Sequence, residues 1–96
     1  MLDRLGNSPD DVADALRQAG IRGVRNTVRF LNPVVRYAQA QLPRARDMDL
    51  IDPWRLRIVF ANGFVNEVPV PDAVRGFLER FHRGRYPDLE MPAGSV

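Results

Sequence analysis

Residues 54–71 read WRLRIVFANGFVNEVPVP and predict a β-hairpin. Val, Ile and Phe dominate two short runs on either side of Asn62-Gly63, a dipeptide that tolerates the positive φ of a tight turn. Both runs alternate in polarity, as the strands of a sheet with one buried face do. Pro69 and Pro71 close the second strand, because proline has no N–H to donate to the ladder of hydrogen bonds.

The length of the hairpin loop decides which side chains face the core. A two-residue loop would place Glu67 among the apolar side chains, whereas a three-residue loop over residues 61–63 pairs Phe60 with Phe64. The three-residue loop is preferred, because burial of a fully apolar face outweighs the ~0.2–1 kcal/mol contributed by one cross-strand pair. It requires Gly63 in the left-handed conformation.

This register assigns each strand residue to a face of the sheet. The face predicted to meet the core carries one polar residue, Asn66, among six apolar ones: Leu56, Ile58, Phe60, Phe64, Val68 and Val70. The opposite face pairs Val59 with Val65 and Arg57 with Glu67. Because a shift of one residue exchanges the two faces, these pairs define the register.

Helix start and stop signals lie on both sides of the hairpin. Ser8 followed by Pro9 and two aspartates predicts the start of a first helix, since serine caps free N–H groups and acids oppose the helix dipole. Gly20 ends that helix. A last helix is predicted from Asp72 to just before Gly84. The buried stripes recur at helical spacing: Val12, Ala15, Leu16 and Ala19 in the first helix, and Val74, Phe77, Leu78 and Phe81 in the last.

The segment from Gly23 to Leu42 allows two interpretations. Its apolar residues recur at steps of three and four and form a seam predicted to face the core: Val24, Val28, Leu31, Val35, Ala38 and Leu42. Pro33 interrupts the seam, because a proline inside a helix costs about 3 kcal/mol. Either one helix bends at Pro33, or Asn32 caps a new helix that begins with Pro33. The second interpretation avoids the proline penalty and is preferred.

These elements predict a single α+β domain over residues 1–96. It consists of two N-terminal helical segments, the β-hairpin and one C-terminal helix packed on the sheet. A third short strand over residues 48–51 is weakly indicated, because Met48 and Leu50 alternate with aspartates. We expect an ordered core from about residue 8 to residue 89 and a flexible tail over residues 90–96.

Composition excludes several classes of function. The chain has no cysteine, which excludes disulfides, thiol catalysis and cysteine-ligated metals. No apolar run approaches the ~20 residues of a membrane span. The first residues lack the basic and then apolar layout of a secretory signal. A cytoplasmic protein without a membrane partner is therefore expected.

The basic residues are concentrated in the middle of the chain. All 14 are arginine, and the stretch from Ala15 to Arg46 contains no acidic residue. If this stretch is helical, four of its arginines fall within a sector of about 60° beside the apolar seam: Arg22, Arg25, Arg29 and Arg36. Such a row suits phosphate groups or an acidic protein surface, because each guanidinium binds an oxyanion with two hydrogen bonds. The alternative is a solvated helix face whose charges are paired within the chain.

The order of elements resembles that of winged helix-turn-helix domains. The stretch DVADALRQAGIRGVRNTVRFL is similar in layout to their two-helix unit. The resemblance implies that Arg22, Arg25, Asn26 and Arg29 would contact DNA, with the loop at residues 62–63 as the wing. This chain departs from the pattern where Pro33 interrupts the second helix and where the wing carries no basic residue.

Catalytic constellations are missing from the sequence. His82 is the only histidine and has arginines at positions 80 and 83, which is typical of a helix-surface residue. Three aspartates at positions 47, 49 and 52 lack the glycine and distal Glu of a calcium loop. Ser8 has no histidine or lysine placed to activate it. The sequence therefore predicts no enzyme, no cofactor, no metal site and no small-molecule substrate.

An interaction role is the remaining hypothesis. Val59 and Val65 on the outer face of the hairpin, with Trp54 nearby, predict a small apolar patch of the kind found at interfaces. The free edge of a small sheet can also add a strand from a partner. We therefore expect a non-enzymatic protein-interaction module or accessory subunit that binds a protein partner or itself. The alternative is a nucleic-acid-binding domain that contacts phosphates through the four arginines.

Overall fold

The computed structural model describes residues 1–29 and 31–91 and confirms the α+β architecture. The helices are α1 (Pro9–Gln18), α2 (Pro33–Gln41) and α3 (Asp72–His82), and the strands are β1 (Ala45–Asp52), β2 (Arg55–Phe60) and β3 (Val65–Pro69). Short 3₁₀ turns lie at Leu2–Leu5 and Pro87–Leu89. The strands form one antiparallel sheet in the order β1-β2-β3.

The register of the β2–β3 hairpin is the predicted one. Val59 stands opposite Val65, and the Phe60 N–H donates to the Phe64 carbonyl at 2.9 Å. The Gly63 N–H donates back to the Phe60 carbonyl at 2.9 Å. Gly63 has φ of 85°, which a residue with a side chain rarely adopts. The three-residue loop is therefore confirmed.

The third strand is confirmed and is longer than predicted. β1 covers eight residues, because it pairs along the whole of β2 with irregularities after Ala45 and after Leu50. Ala45, Met48 and Leu50 are buried, while Arg46 and Asp47 are exposed. The bulges let the strand keep its apolar residues on the core face although they do not alternate strictly.

The prediction that Phe64 faces the core is wrong. Leu56 and Ile58 are fully buried, Phe60 is half-buried, and Phe64 is 63% exposed. The two rings remain neighbours, with centroids 6.5 Å apart. Burial therefore fades along the hairpin towards its tip. The side chains near Leu56 are covered, whereas those at the loop end are open to solvent.

The outer face of the sheet carries ion pairs that cross three strands. Arg57 lies opposite Glu67 as predicted, but its guanidinium binds Asp49 of β1, with Nε to Oδ1 at 2.9 Å. Glu67 instead binds Arg55, with Oε1 to Nη1 at 3.0 Å. The third strand places an acid directly opposite Arg57 and so changes its partner.

Both N-terminal helices begin at a capping residue followed by proline. The Ser8 hydroxyl accepts the Asp11 N–H at 3.1 Å, as predicted for α1. At α2, Asn32 Oδ1 accepts from Val34 N–H at 2.9 Å and from Val35 N–H at 3.3 Å. The interpretation in which Asn32 caps a new helix at Pro33 is therefore confirmed.

The apolar seam does not continue on the N-terminal side of α2. Residues 19–29 contain no helix, and Asn26 has φ of 62°, which is incompatible with one. Val28 is 51% exposed, so the prediction that it faces the core is wrong. Val35 and Ala38 on α2 are buried as predicted. The helical spacing before Pro33 does not correspond to a helix.

The core lies between the helices and one face of the sheet. α3 begins at Asp72 and buries the four predicted residues, Val74, Phe77, Leu78 and Phe81. They share one apolar cluster with the buried side chains of α1, α2, β1 and β2. Among the other elements, α3 packs mainly against α1.

Both ends of the described chain contact the core. Leu2 and Leu5 of the first 3₁₀ turn are 1% and 2% exposed. At the other end, the Met91 N–H donates to the Gly23 carbonyl and the Gly23 N–H to the Leu89 carbonyl, both at 2.9 Å. Through these two bonds Gly23 forms an isolated parallel β-bridge with Glu90. The rest of the predicted tail, 92–96, lies outside the described residues.

Candidate functional site

The four arginines predicted to bind an anion do not form a row on a helix. Arg22, Arg25 and Arg29 lie in the irregular segment before α2, and Arg36 alone lies on that helix. The prediction of a 60° sector depended on a continuous helix and is wrong for that reason. The recognition helix implied by the winged helix-turn-helix resemblance is likewise missing from residues 19–29.

Acids close to the C-terminus neutralise part of this arginine block. The Arg25 guanidinium pairs with Glu90, with Nε to Oε1 at 3.0 Å. Arg17 donates two hydrogen bonds to the Asp88 carboxylate. These bonds, together with the charge of Arg22, hold the pKa of Asp88 below its usual range. No pattern near the arginines in the sequence predicts partners more than 60 residues away.

The predicted interface residues lie on two different faces of the sheet. Val59 and Val65 stand opposite each other on the outer face, where Val65 is 51% exposed. Trp54 precedes β2 and is 58% exposed on the side of α3. The Arg75 guanidinium of α3 lies 5.7 Å from the centre of the Trp54 ring. The structure therefore separates Trp54 from the two valines.

Trp54 instead forms one wall of a groove that the sequence did not indicate. We call it the Trp54 groove. Its walls come from the segment before α2 (Val28), from the end of β1 and the turn after it (Ile51 and Trp54) and from α3 (His82). Its floor is made by the buried Leu50 and Leu78. It has a volume of about 540 Å³ and is open to solvent on one side.

The exposed apolar side chains of the chain are concentrated in this groove. Within the part of the chain that the structure describes, five large apolar side chains are exposed, and three of them line the groove: Val28, Ile51 and Trp54. The other two, Phe64 and Val65, lie near the tip of the hairpin. The groove is thus the largest cluster of such residues on the described surface.

The three charged side chains that line the groove, Asp52, Arg75 and Glu79, are each paired within the chain. Asp52 binds Arg55, Arg75 binds Asp72, and Glu79 binds Arg83. Arg29, next to Val28 in the chain, is exposed and has no ion pair among residues 1–29 and 31–91. The charges that line the groove are therefore balanced by partners, whereas the residue after Val28 in the chain carries a positive charge without one in this part of the chain.

His82 connects two walls of the groove. Its Nδ1 accepts a hydrogen bond from the Asn26 backbone N–H at 2.9 Å. The ring is half-buried, and its edge meets the Phe81 ring with centroids 5.7 Å apart. Burial, and then the positive charge of Arg25, lower the pKa of His82 below its ordinary value. The sequence suggested a surface histidine, and only the fold shows this contact.

A second, polar cleft lies at the C-terminal end of α3. Arg80, Arg83 and Arg85 line it together with Asp10 and Tyr86. The Tyr86 hydroxyl donates to Asp10 Oδ1 at 2.9 Å. Burial raises the pKa of Tyr86, and the hydrogen bond to Asp10 adds to that effect. This cleft lacks the exposed apolar side chains of the Trp54 groove.

The described residues contain no group of three or more His, Asp or Glu side chains placed to hold a metal ion. Among the three helices of residues 1–29 and 31–91, none has the length and apolarity to cross a bilayer.

Comparisons of the chain with protein-family models, with curated proteins and with solved structures find no match.

Proposed function

We propose that this chain is a non-enzymatic protein-interaction module whose Trp54 groove receives apolar side chains of a partner. The observation that supports this function is the grouping of Val28, Ile51 and Trp54 in one groove. Single exposed apolar residues are ordinary on a protein surface, whereas a contiguous group rimmed by polar residues is typical of an interaction site.

The shape of the groove favours a protein segment over a small molecule. Its walls are more than 40% exposed at Val28, Ile51 and Trp54, so a small ligand would remain largely in water. Sites for small molecules usually bury 70–90% or more of the ligand surface. An amphipathic helix can instead lay its apolar side along an open groove and keep its polar side in solvent.

The exposed arginine next to Val28 in the chain favours a partner that carries an acid. Arg29 follows Val28 in the chain, is exposed, and has no ion pair among the described residues. A carboxylate on the partner, close to the apolar side chain that contacts Val28, would complete the pairing. Such a pair selects the partner and its orientation more than it adds affinity.

A different protein fits this site better than a second copy of the chain. In a two-fold dimer built on the groove, the same surface would meet itself, and the acids at the rim already bind arginines. Insertion of the exposed Phe64 of one copy into the groove of another would be heterologous and would continue as a chain of molecules. The partner is therefore a segment of another protein.

Substitution of Val28 by aspartate is expected to weaken binding of the partner at least tenfold. The probe is a set of helical peptides selected from a displayed library against the wild-type protein, and Trp54, the only tryptophan, reports binding by fluorescence. Val65→Asp is the matched control, because both valines are 51% exposed but Val65 lies outside the groove. A tenfold loss corresponds to about 1.4 kcal/mol, as expected for a residue near the centre of an interface.

The selected peptides also test the proposed charge pairing. We expect the peptides to carry Leu, Phe or Trp beside Asp or Glu. Arg29→Glu should weaken their binding more than Arg46→Glu, which changes an exposed arginine of β1. If Val28→Asp and Val65→Asp bind the peptides equally well, the groove is not the binding site. Tight, salt-sensitive binding of oligonucleotides that is lost in Arg25→Glu/Arg29→Glu would instead support nucleic acid as the partner.

A further inference from the structure

The segment that carries Val28 is connected to α3 through one histidine nitrogen. His82 Nδ1 accepts the Asn26 N–H at 2.9 Å, and Asn26 has φ of 62°. Two residues later, the Val28 carbonyl accepts the Leu50 N–H of β1 at 2.8 Å. The two sides of this segment are thus held by different elements. Loss of the His82 bond would free the side that faces α3 and leave the side that faces β1 in place.

We propose that protonation of His82 releases Asn26 from α3 and thereby weakens binding in the Trp54 groove. A neutral imidazole has one nitrogen that accepts a hydrogen bond, whereas both nitrogens of the protonated ring are donors. The protonated Nδ1 would face the Asn26 N–H donor to donor, so one of the two groups must move. The effect on binding rests on the proposed function, whereas the release of Asn26 does not.

The left-handed conformation of Asn26 depends on the hydrogen bond that its N–H donates to His82. A residue other than glycine rarely adopts positive φ, and asparagine does so more readily than most. The conformation is held by contacts on either side, one of which is the bond to His82. When this bond is lost, the local preference for negative φ favours rearrangement of residues 25–27.

Charged groups from several elements surround His82. Arg25 lies on the segment before α2, Glu79 on α3 and Arg83 directly after it, and Asp52 and Arg75 on the far side of the groove. Glu90 contacts Arg25. The acids among them already bind arginines, so they offer a protonated ring little additional stabilisation, while Arg25 opposes the new charge.

The direction of the pH effect follows from these surroundings. The folded state favours the neutral ring, because burial and Arg25 lower the pKa of His82 below the ordinary value of 6.5. The stability that the neutral ring contributes is fully present above pH 6.5 and is lost as the pH falls through the lowered pKa. The release of Asn26 is therefore an acid-side event.

Hydrogen exchange of single amides measures the release without any partner. We expect the protection factor of the Asn26 amide to fall at least about tenfold between about pH 7.5 and about pH 5, after correction for the intrinsic exchange rate. The Leu50 amide, bonded to the Val28 carbonyl, is the internal control and should keep its protection. In His82→Asn, whose Oδ1 can accept from Asn26 at any pH, both amides should stay protected.

The selected peptides measure the effect on the groove. Their affinity for the wild type is expected to fall about fivefold over the same pH range, which is about 1 kcal/mol, and to stay constant in His82→Asn. In His82→Phe, which has no acceptor, the weaker affinity should appear at every pH. If the affinity of His82→Asn fell on acidification as much as that of the wild type, the proposal would be overturned.

The two measurements together show which part of the proposal is wrong. If Asn26 stays protected at low pH in the wild type, the proposed release is wrong, whatever the groove binds. If Asn26 is released but the affinity of Val28-dependent peptides is unchanged, the coupling to the groove is wrong. If no peptide depends on Val28, the proposed function fails, and the exchange data alone decide the release of Asn26.

Discussion

Replacing Phe77 with alanine is expected to lower the free energy of unfolding by about 3–5 kcal/mol. The ring is fully buried and stacks on Phe81 and Tyr86, with centroids 5.8 Å and 5.2 Å away. Truncation removes both aromatic contacts and leaves a cavity that the packed neighbours fill only in part. The loss is a large fraction of the ~5–15 kcal/mol that stabilises a typical domain. Denaturation in urea, followed by circular dichroism, measures it.

Phe64→Ala is the matched control for this substitution. It removes the same side chain from a site that is 63% exposed. We therefore expect the free energy of unfolding to change by no more than about 0.5 kcal/mol. The pair separates burial from residue type, because both phenylalanines belong to apolar patterns that predict a core position. Equal losses in the two variants would contradict the open hairpin tip.

Local rules predicted the parts of the fold in which neighbouring residues decide the structure. Gly63 supplies the positive φ of the loop, and the chain around it allows one register with an apolar face. Ser8 and Asn32, each followed by proline, begin helices because a side-chain oxygen satisfies free N–H groups within the same turn. These signals need no information from the rest of the chain.

The wrong predictions concern residues whose surroundings are set by elements far away in the chain. Phe64 has the pattern of a core residue, but whether a helix covers the hairpin tip is a property of the whole fold. Arg57 has Glu67 opposite it, yet the acid that it binds comes from β1 on its other side. Periodicity around Val28 suggested a helix that the positive φ of Asn26 prevents.

The candidate site could not be predicted from the sequence for the same reason. Val28, Trp54 and His82 are separated by more than 25 residues in each case. Their local patterns predict a core residue, a member of an interface patch with Val59 and Val65, and a surface residue. The fold places all three around one groove. The arginine block was visible in the sequence, but the acids that neutralise Arg17 and Arg25 are at positions 88 and 90.

Replacing Asn32 with alanine is the second large effect that we expect, a loss of about 2–4 kcal/mol in the free energy of unfolding. The side chain is fully buried and satisfies three backbone groups. Its Oδ1 accepts from the Val34 and Val35 N–H groups, and its Nδ2 donates to the Thr27 carbonyl at 2.9 Å. Alanine removes the cap and leaves all three groups without these partners in a site that water reaches poorly.

Ser8→Ala provides the comparison that separates a cap from a buried polar network. Ser8 caps α1 with one hydrogen bond to the Asp11 N–H at a solvent-accessible helix end, so its loss should cost about 1 kcal/mol. The excess loss in Asn32→Ala then measures what Asn32 contributes by linking α2 to Thr27, in the segment that forms one wall of the Trp54 groove. We expect Asn32→Ala also to lower the hydrogen-exchange protection of the Leu50 amide, which is bonded to Val28. If Asn32→Ala costs no more than Ser8→Ala, Asn32 acts as a helix cap only.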